Sequence, residues 1–112
     1  MDRSAERVGH NDATFRAANE RIRDTAEAEE MTEKIPFLCE CAEENCTQIV
    51  RLSHEQYESI RRNPTHFLHT PEHEVSDRPH TEVVERNHTY VVVRKQGTAA
   101  EIAENLDPRA AT

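Results

Sequence analysis

The sequence is poor in apolar residues. Of its 112 residues, 20 are Leu, Ile, Val or Phe, about 18%, below the roughly 20% at which a highly charged chain is suspected of disorder. A core this thin rarely holds a fold alone, so an outside staple is expected: a metal, a partner or a second copy. The longest apolar run is Tyr90–Val93, far below the ~18 residues of a membrane span. The opening Met1-Asp2-Arg3-Ser4 lacks the apolar stretch of a signal peptide, so a cytoplasmic chain is expected, with no membrane partner.

Glycine is confined to Gly9 and Gly97, which excludes a Gly-rich loop cradling phosphate. Three Phe and two Tyr, several wanted in the core, leave no stacking platform for bases. The 14 Lys+Arg stand against 22 Asp+Glu, a formal net charge of −8, and this balance argues against nucleic acid and anionic membranes as partners. The basic residues form short groups only: Arg61-Arg62, Arg94-Lys95, and Arg16, Arg21 and Arg23. Arg61-Arg62 near a helix end is accounted for by the helix dipole.

The scarce apolar residues concentrate in the middle of the chain. Residues 35–95 hold fifteen of the twenty, residues 1–34 three (Val8, Phe15, Ile22) and residues 96–112 two (Ile102, Leu106). This divides the chain into a disordered N-terminus over 1–10, a helix over 11–34 and an α+β module over 35–109. The soft boundary falls at Lys34-Ile35-Pro36, where proline forbids helix continuation. Asn11 or Asp12 is expected to cap the first helix, with Phe15, Ala18, Ile22 and Ala26 along a narrow stripe. Such a helix either lies on the module with a solvated face, or docks a protein partner or a second copy.

Within the module, Thr47–Leu52 reads as a strand. Ser53-His54-Glu55-Gln56 matches a capping box and predicts a short helix with Tyr57, Ile60 and Arg61 inside, ending before Pro64. Phe67-Leu68 marks a strand. Residues 82–86 and 88–95 read as a hairpin around Asn87, with Val91–Val93 the most buried run. Ala99–Leu106 forms a last helix, ended by Asp107-Pro108. The fold class is α+β, a small antiparallel sheet flanked by helices.

Chemistry concentrates in Cys39-Glu40-Cys41-Ala42-Glu43-Glu44-Asn45-Cys46, a C-x-C-x4-C spacing. An odd number of cysteines cannot pair within one chain, and cytosolic proteins seldom form disulfides. Cysteine among glutamates is not core sequence. Three sulfurs this close suit tetrahedral Zn2+, with neighbouring backbone amides donating to the thiolates. The fourth ligand is open among His54, His66, His69, His73, His80 and His88. His69 and His73 stand at H-x3-H spacing, one ligand too many beside three cysteines. His66 and His69 fall on opposite faces of a strand, and His54 opens the capping-box helix. His73, between Pro71-Glu72 and Glu74, lies in a loop beyond a strand end, where it reaches a metal without distorting the sheet.

The cysteine spacing resembles the zinc-binding post-SET segment of lysine methyltransferases, where three ligands come from the segment and a fourth from elsewhere. Nothing else in the chain is similar to a methyltransferase, so only the metal geometry is implied. A wider resemblance covers roughly residues 11–109. It is carried by Phe37-Leu38-Cys39-Glu40-Cys41, Cys46, Leu52–Glu58, Arg61, Pro64, Phe67, Pro71-Glu72-His73-Glu74, Val83-Val84-Glu85 and Tyr90–Val93. These residues are similar to a family of small actinobacterial proteins patterned F-x-C-E-C, L-T-x-x-E-Y-E, P-G-H-E, V-V-E and Y-x-V-V-E-K. The chain departs from that pattern at Glu72, where the pattern has Gly, and at Arg94, where it has Glu. His69 occupies an apolar position of the pattern, so the resemblance points to His73 as fourth ligand, giving Cys39, Cys41, Cys46 and His73. It implies organisation and no particular activity.

Three thiolates and one imidazole leave no open coordination position, so such a site is structural, and the expected function is a small zinc-binding interaction or regulatory module. A small metal-dependent enzyme is the alternative. Glu72 and Glu74 beside His73 invite that comparison, but H-E-x-x-H is absent and thiolates weaken the ion's Lewis acidity. A Cys–His nucleophile competes with the metal for the same cysteines. An iron–sulfur centre is a further option, distinguished by its colour. Oxidation of exposed zinc thiolates would release the ion.

Overall fold

The computed structural model describes residues 4–43, 45–73 and 79–111. Helix α1 (Ala5–Ala28) is followed by strands β1 (Ile35–Leu38) and β2 (Ile49–Leu52), helix α2 (His54–Arg61), and strands β3 (His66–His69), β4 (Thr81–Arg86) and β5 (Val91–Lys95). Helix α3 (Gly97–Asn105) and a 3-10 turn (Pro108–Ala111) close the chain. The class is α+β as expected, but the strands form two antiparallel sheets rather than one: β1-β2, and β3-β5-β4 with β5 central.

The first helix begins earlier than its sequence suggests. Ser4 is the N-cap, its hydroxyl accepting from the Arg7 amide at 3.2 Å, so residues 5–10 are helical, which corrects the expectation of disorder there. Residues 1–3 lie outside the described residues. The early turns are held because Val8 is fully buried and Gly9 lets α1 approach α3, where an added Cβ would lie 3.0 Å from the Ile102 side chain. The helix ends at Ala28, before Lys34. Met31 N–H donates to Ala26 O and Glu30 N–H to Glu27 O, a Schellman closure that puts Glu30 at φ +54, a conformation that favours glycine.

β1 has no clear signature in the sequence because Pro36 interrupts it. It pairs with β2 in the register Ile35↔Leu52 and Phe37↔Val50, residues that turn one apolar face inward while Pro36, Ile49 and Arg51 are exposed. The capping box of α2 is complete: Gln56 N–H donates to Ser53 Oγ, and Ser53 N–H to Gln56 Oε1. Tyr57, Ile60 and Arg61 are its buried residues.

The β3-β5-β4 sheet is covered on both faces, which explains the unbroken Val91–Val93 run. Leu68 and Val92 join Phe37, Tyr57, Ile60 and Tyr90 in the main core, where the Phe37 and Tyr57 rings stack with centroids 4.1 Å apart. Phe67, Val91 and Val93 face Ala103 of α3 on the other side. α1 is an integral layer rather than a peripheral one. Its buried face is Val8, Gly9, Asp12, Ala13, Arg16, Asn19 and Ala26, while Phe15 and Ala18 of the expected stripe are only half-buried.

Three residues of that face, Asp12, Arg16 and Asn19, are polar. The Arg16 guanidinium lies 4.2 Å from the Phe67 ring centroid and donates to Pro64 O at 2.6 Å and Ala103 O at 2.5 Å. Lys95 and Asp12 form a fully buried ion pair, and burial lowers the Lys95 ammonium well below its usual range. Arg61 pairs with Asp107 at 2.5 Å. Glu20 accepts from Tyr57 Oη at 2.6 Å and, with Glu58, from Arg109. Such buried pairs fix orientation more than they add stability, because desolvation offsets their attraction.

Candidate metal centre

Cys39 and Cys41 follow directly from β1, and both are buried; Cys46 is half-buried before β2. His73 lies past the end of β3, in a turn where its N–H donates to Thr70 O at 3.0 Å. The chain brings these four together: one donor atom from each lies within 4.8 Å of all the others. The His73 Nδ1 is 3.6 Å from Cys39 Sγ, 3.8 Å from Cys41 Sγ and 3.5 Å from Cys46 Sγ. A tetrahedral zinc ion with Zn–S of about 2.3 Å and Zn–N of about 2.0–2.1 Å sets nitrogen and sulfur roughly 3.5 Å apart. The three nitrogen–sulfur separations therefore match those edges of a coordination tetrahedron.

Each sulfur receives a backbone N–H. Thr70 donates to Cys39 Sγ at 3.2 Å, and backbone hydrogen bonds from Glu43 and Gln48 reach Cys41 and Cys46. These bonds disperse thiolate charge, as amides around metal-bound sulfur do. Between the thiols themselves the opposite force dominates. The Cys41 thiol is pushed far up by its hydrogen bond with Cys39 and by burial, and burial pushes Cys46 up as well. A cation at the centre reverses that balance, since a coordinating thiol is deprotonated outright.

The other histidines stand apart. His69 is fully buried in β3, paired in register with Val91, and is not in the donor group. His66 and His80 are half-buried, His54 opens α2 and His88 is exposed. Glu72 is exposed, and Glu74, the other acid of the hydrolase comparison, lies outside the described residues, as does Glu44. Glu72 has φ +76, a left-handed backbone at the turn that delivers His73.

One residue of the site was not legible as such. Glu40, between the two buried cysteines, is itself fully buried. Its Oε1 accepts from Leu68 N–H at 3.0 Å and its Oε2 from Asn19 Nδ2 at 2.9 Å, against the burial that raises its carboxyl above the usual range. Asn19 also accepts from Leu38 N–H and donates to Leu38 O. The metal segment is thereby anchored to β3 and α1.

The fold and site define a small α+β protein with a Cys3His group suited to a metal ion. No protein-family profile, curated protein or solved structure matches the chain, so its functional reading rests on this geometry. No helix among the described residues is long and apolar enough to cross a membrane.

Proposed function

We propose that Cys39, Cys41, Cys46 and His73 hold one Zn2+ as a structural staple, and that the protein is a binding or regulatory module rather than an enzyme. The observation that carries this reading is the equal approach of His73 Nδ1 to three sulfurs at 3.5–3.8 Å. Four protein donors fill a tetrahedron and leave no position for substrate or activated water. Three thiolates with one imidazole favour zinc among the abundant divalent ions. Free cysteines kept for a metal suit a reducing compartment such as the cytoplasm. The likeness to the small actinobacterial family gains support from Glu72, whose positive φ falls where that pattern carries glycine.

The test is elemental analysis of protein purified without added metal. About one zinc per chain and a colourless solution are expected; iron with visible absorption would replace zinc by an iron–sulfur centre. Retention of full metal content by His73→Ala would move the fourth ligand elsewhere.

A further inference from the structure

We infer, resting on the metal reading above, that the cysteine segment is a latch for residues 8–19 of α1, so that metal occupancy and helix docking are coupled. Three sets of contacts join the two. Asn11 Nδ2 donates to Ala42 O at 3.1 Å. Val8 packs with Ala42 and Ala99, all three fully buried. Asn19 exchanges two hydrogen bonds with the Leu38 backbone and donates a third to Glu40. These contacts span Val8 to Asn19 on the helix and Leu38 to Ala42 on the segment, which contains the ligands Cys39 and Cys41. The rest of α1, from Glu20 onward, is held by other partners: Glu20 by Tyr57, Arg61 and Arg109, and Ala26 by the main core.

Residues 8–19 are held on two sides. Their buried face offers Val8, Gly9 and Ala13 as apolar groups, alongside Asp12, Arg16 and Asn19. On the side of α3 and β5, Arg16 donates to Ala103 O and Asp12 pairs with Lys95. Burial of the Asp12–Lys95 pair nearly cancels its own attraction. On the other side, the contacts of Asn11 and Asn19 need the 38–42 backbone in one shape. A metal ion bound by Cys39 and Cys41 enforces that shape; without it the exposed turn of Glu43 and Asn45 no longer closes on the cluster. Coupling of this kind is reciprocal, so weakening the docking must loosen the metal.

Two measurements test the latch on the full chain. In hydrogen exchange, removing the metal with a chelator should speed exchange of residues 8–19 by on the order of tenfold or more while the central strand β5 keeps its protection. Unchanged protection of 8–19, or equal loss across β5 and α1, would overturn it. The second measurement needs no folded metal-free protein. The rate of zinc release to a chromogenic chelator should rise about tenfold in Asn19→Ala. Ile60→Val, which weakens the main core around Tyr57 and Leu68 without a contact to residues 8–19, should leave that rate at the wild-type value. An unchanged rate in Asn19→Ala, or the same rise in both variants, contradicts the latch. Protein that carries no metal at all would instead remove the underlying metal reading.

Discussion

Glu40 and Leu68 are joined twice: Glu40 N–H donates to Leu68 O at 2.9 Å, and Leu68 N–H donates to Glu40 Oε1 at 3.0 Å. The first is a backbone bond between the metal segment and β3. The second substitutes a side-chain carboxylate for the backbone carbonyl that a neighbouring strand would supply. The residue between Cys39 and Cys41 thus acts as a short β-partner, and it fixes both cysteines against the strand that leads to His73.

Glu40→Gln tests that role. The new carboxamide can still accept from Leu68, but its NH2 would then face the Asn19 NH2. Asn19 cannot reverse, because its Oδ1 already accepts from Leu38 N–H at 2.8 Å. A buried donor is left without an acceptor, at a cost of about 1–3 kcal/mol. Urea unfolding of the metal-loaded variant measures it; wild-type stability would contradict the account.

Two glutamates hold backbone conformations that suit glycine, Glu30 at φ +54 and Glu72 at φ +76. Both are exposed, so replacing them removes little packing. Glu30→Gly and Glu72→Gly should each stabilise the protein by about 0.5–1 kcal/mol, the relief of left-handed strain outweighing glycine's extra unfolded freedom. Thermal melts with metal bound check this. A lower melting temperature in either variant would show that the turn is held by the glutamate side chain.

The Arg109 guanidinium, 2.8 and 3.1 Å from the Glu58 carboxylate, holds that carboxyl below its usual range. Below the unfolded value the unfolded chain binds the proton first, so stability rises with pH across this window. The contribution of Glu58 is therefore complete above the ordinary carboxylate range, about 4.3, and is lost as pH falls through its lower folded value. Wild type should exceed Glu58→Gln by about 0.5 kcal/mol at neutral pH, since the pair is partly exposed. The difference should vanish in acid. Comparing the two proteins at each pH cancels the acid loss of metal, which both share, and a gap that widens in acid would contradict the stabilising role of the ion pair.

Much of the module is legible in the sequence because local rules decide it. The Ser53–Gln56 box, the Val91–Val93 run and the C-x-C-x4-C spacing each carry their structural consequence within a few residues. What is hidden depends on distant partners. Asp12 reads as a helix cap and Arg16 as one of a short basic group, and Asn19 carries no signal, yet Ser4 is the cap and Lys95, Ala103 and Glu40 draw all three into the interior. The end of α1 is unmarked because Glu30 fills the position at which glycine would announce a C-cap. β1 is masked by Pro36, which an edge strand tolerates. Selection of His73 over His69 turns on resemblance rather than on composition, and the structure places His69 in the core strand and His73 against the sulfurs.

The central claim is that one metal ion, gripped by three cysteines and one histidine, supplies cohesion that the sparse core lacks. Native mass spectrometry of the chain with and without a chelator, paired with thermal unfolding of the same samples, tests it most directly. The account predicts a mass increment of one zinc per chain, lost together with a large part of the melting temperature both on chelation and in Cys46→Ser. A chain without any bound ion that nonetheless unfolds sharply at the same temperature with chelator as without would contradict it.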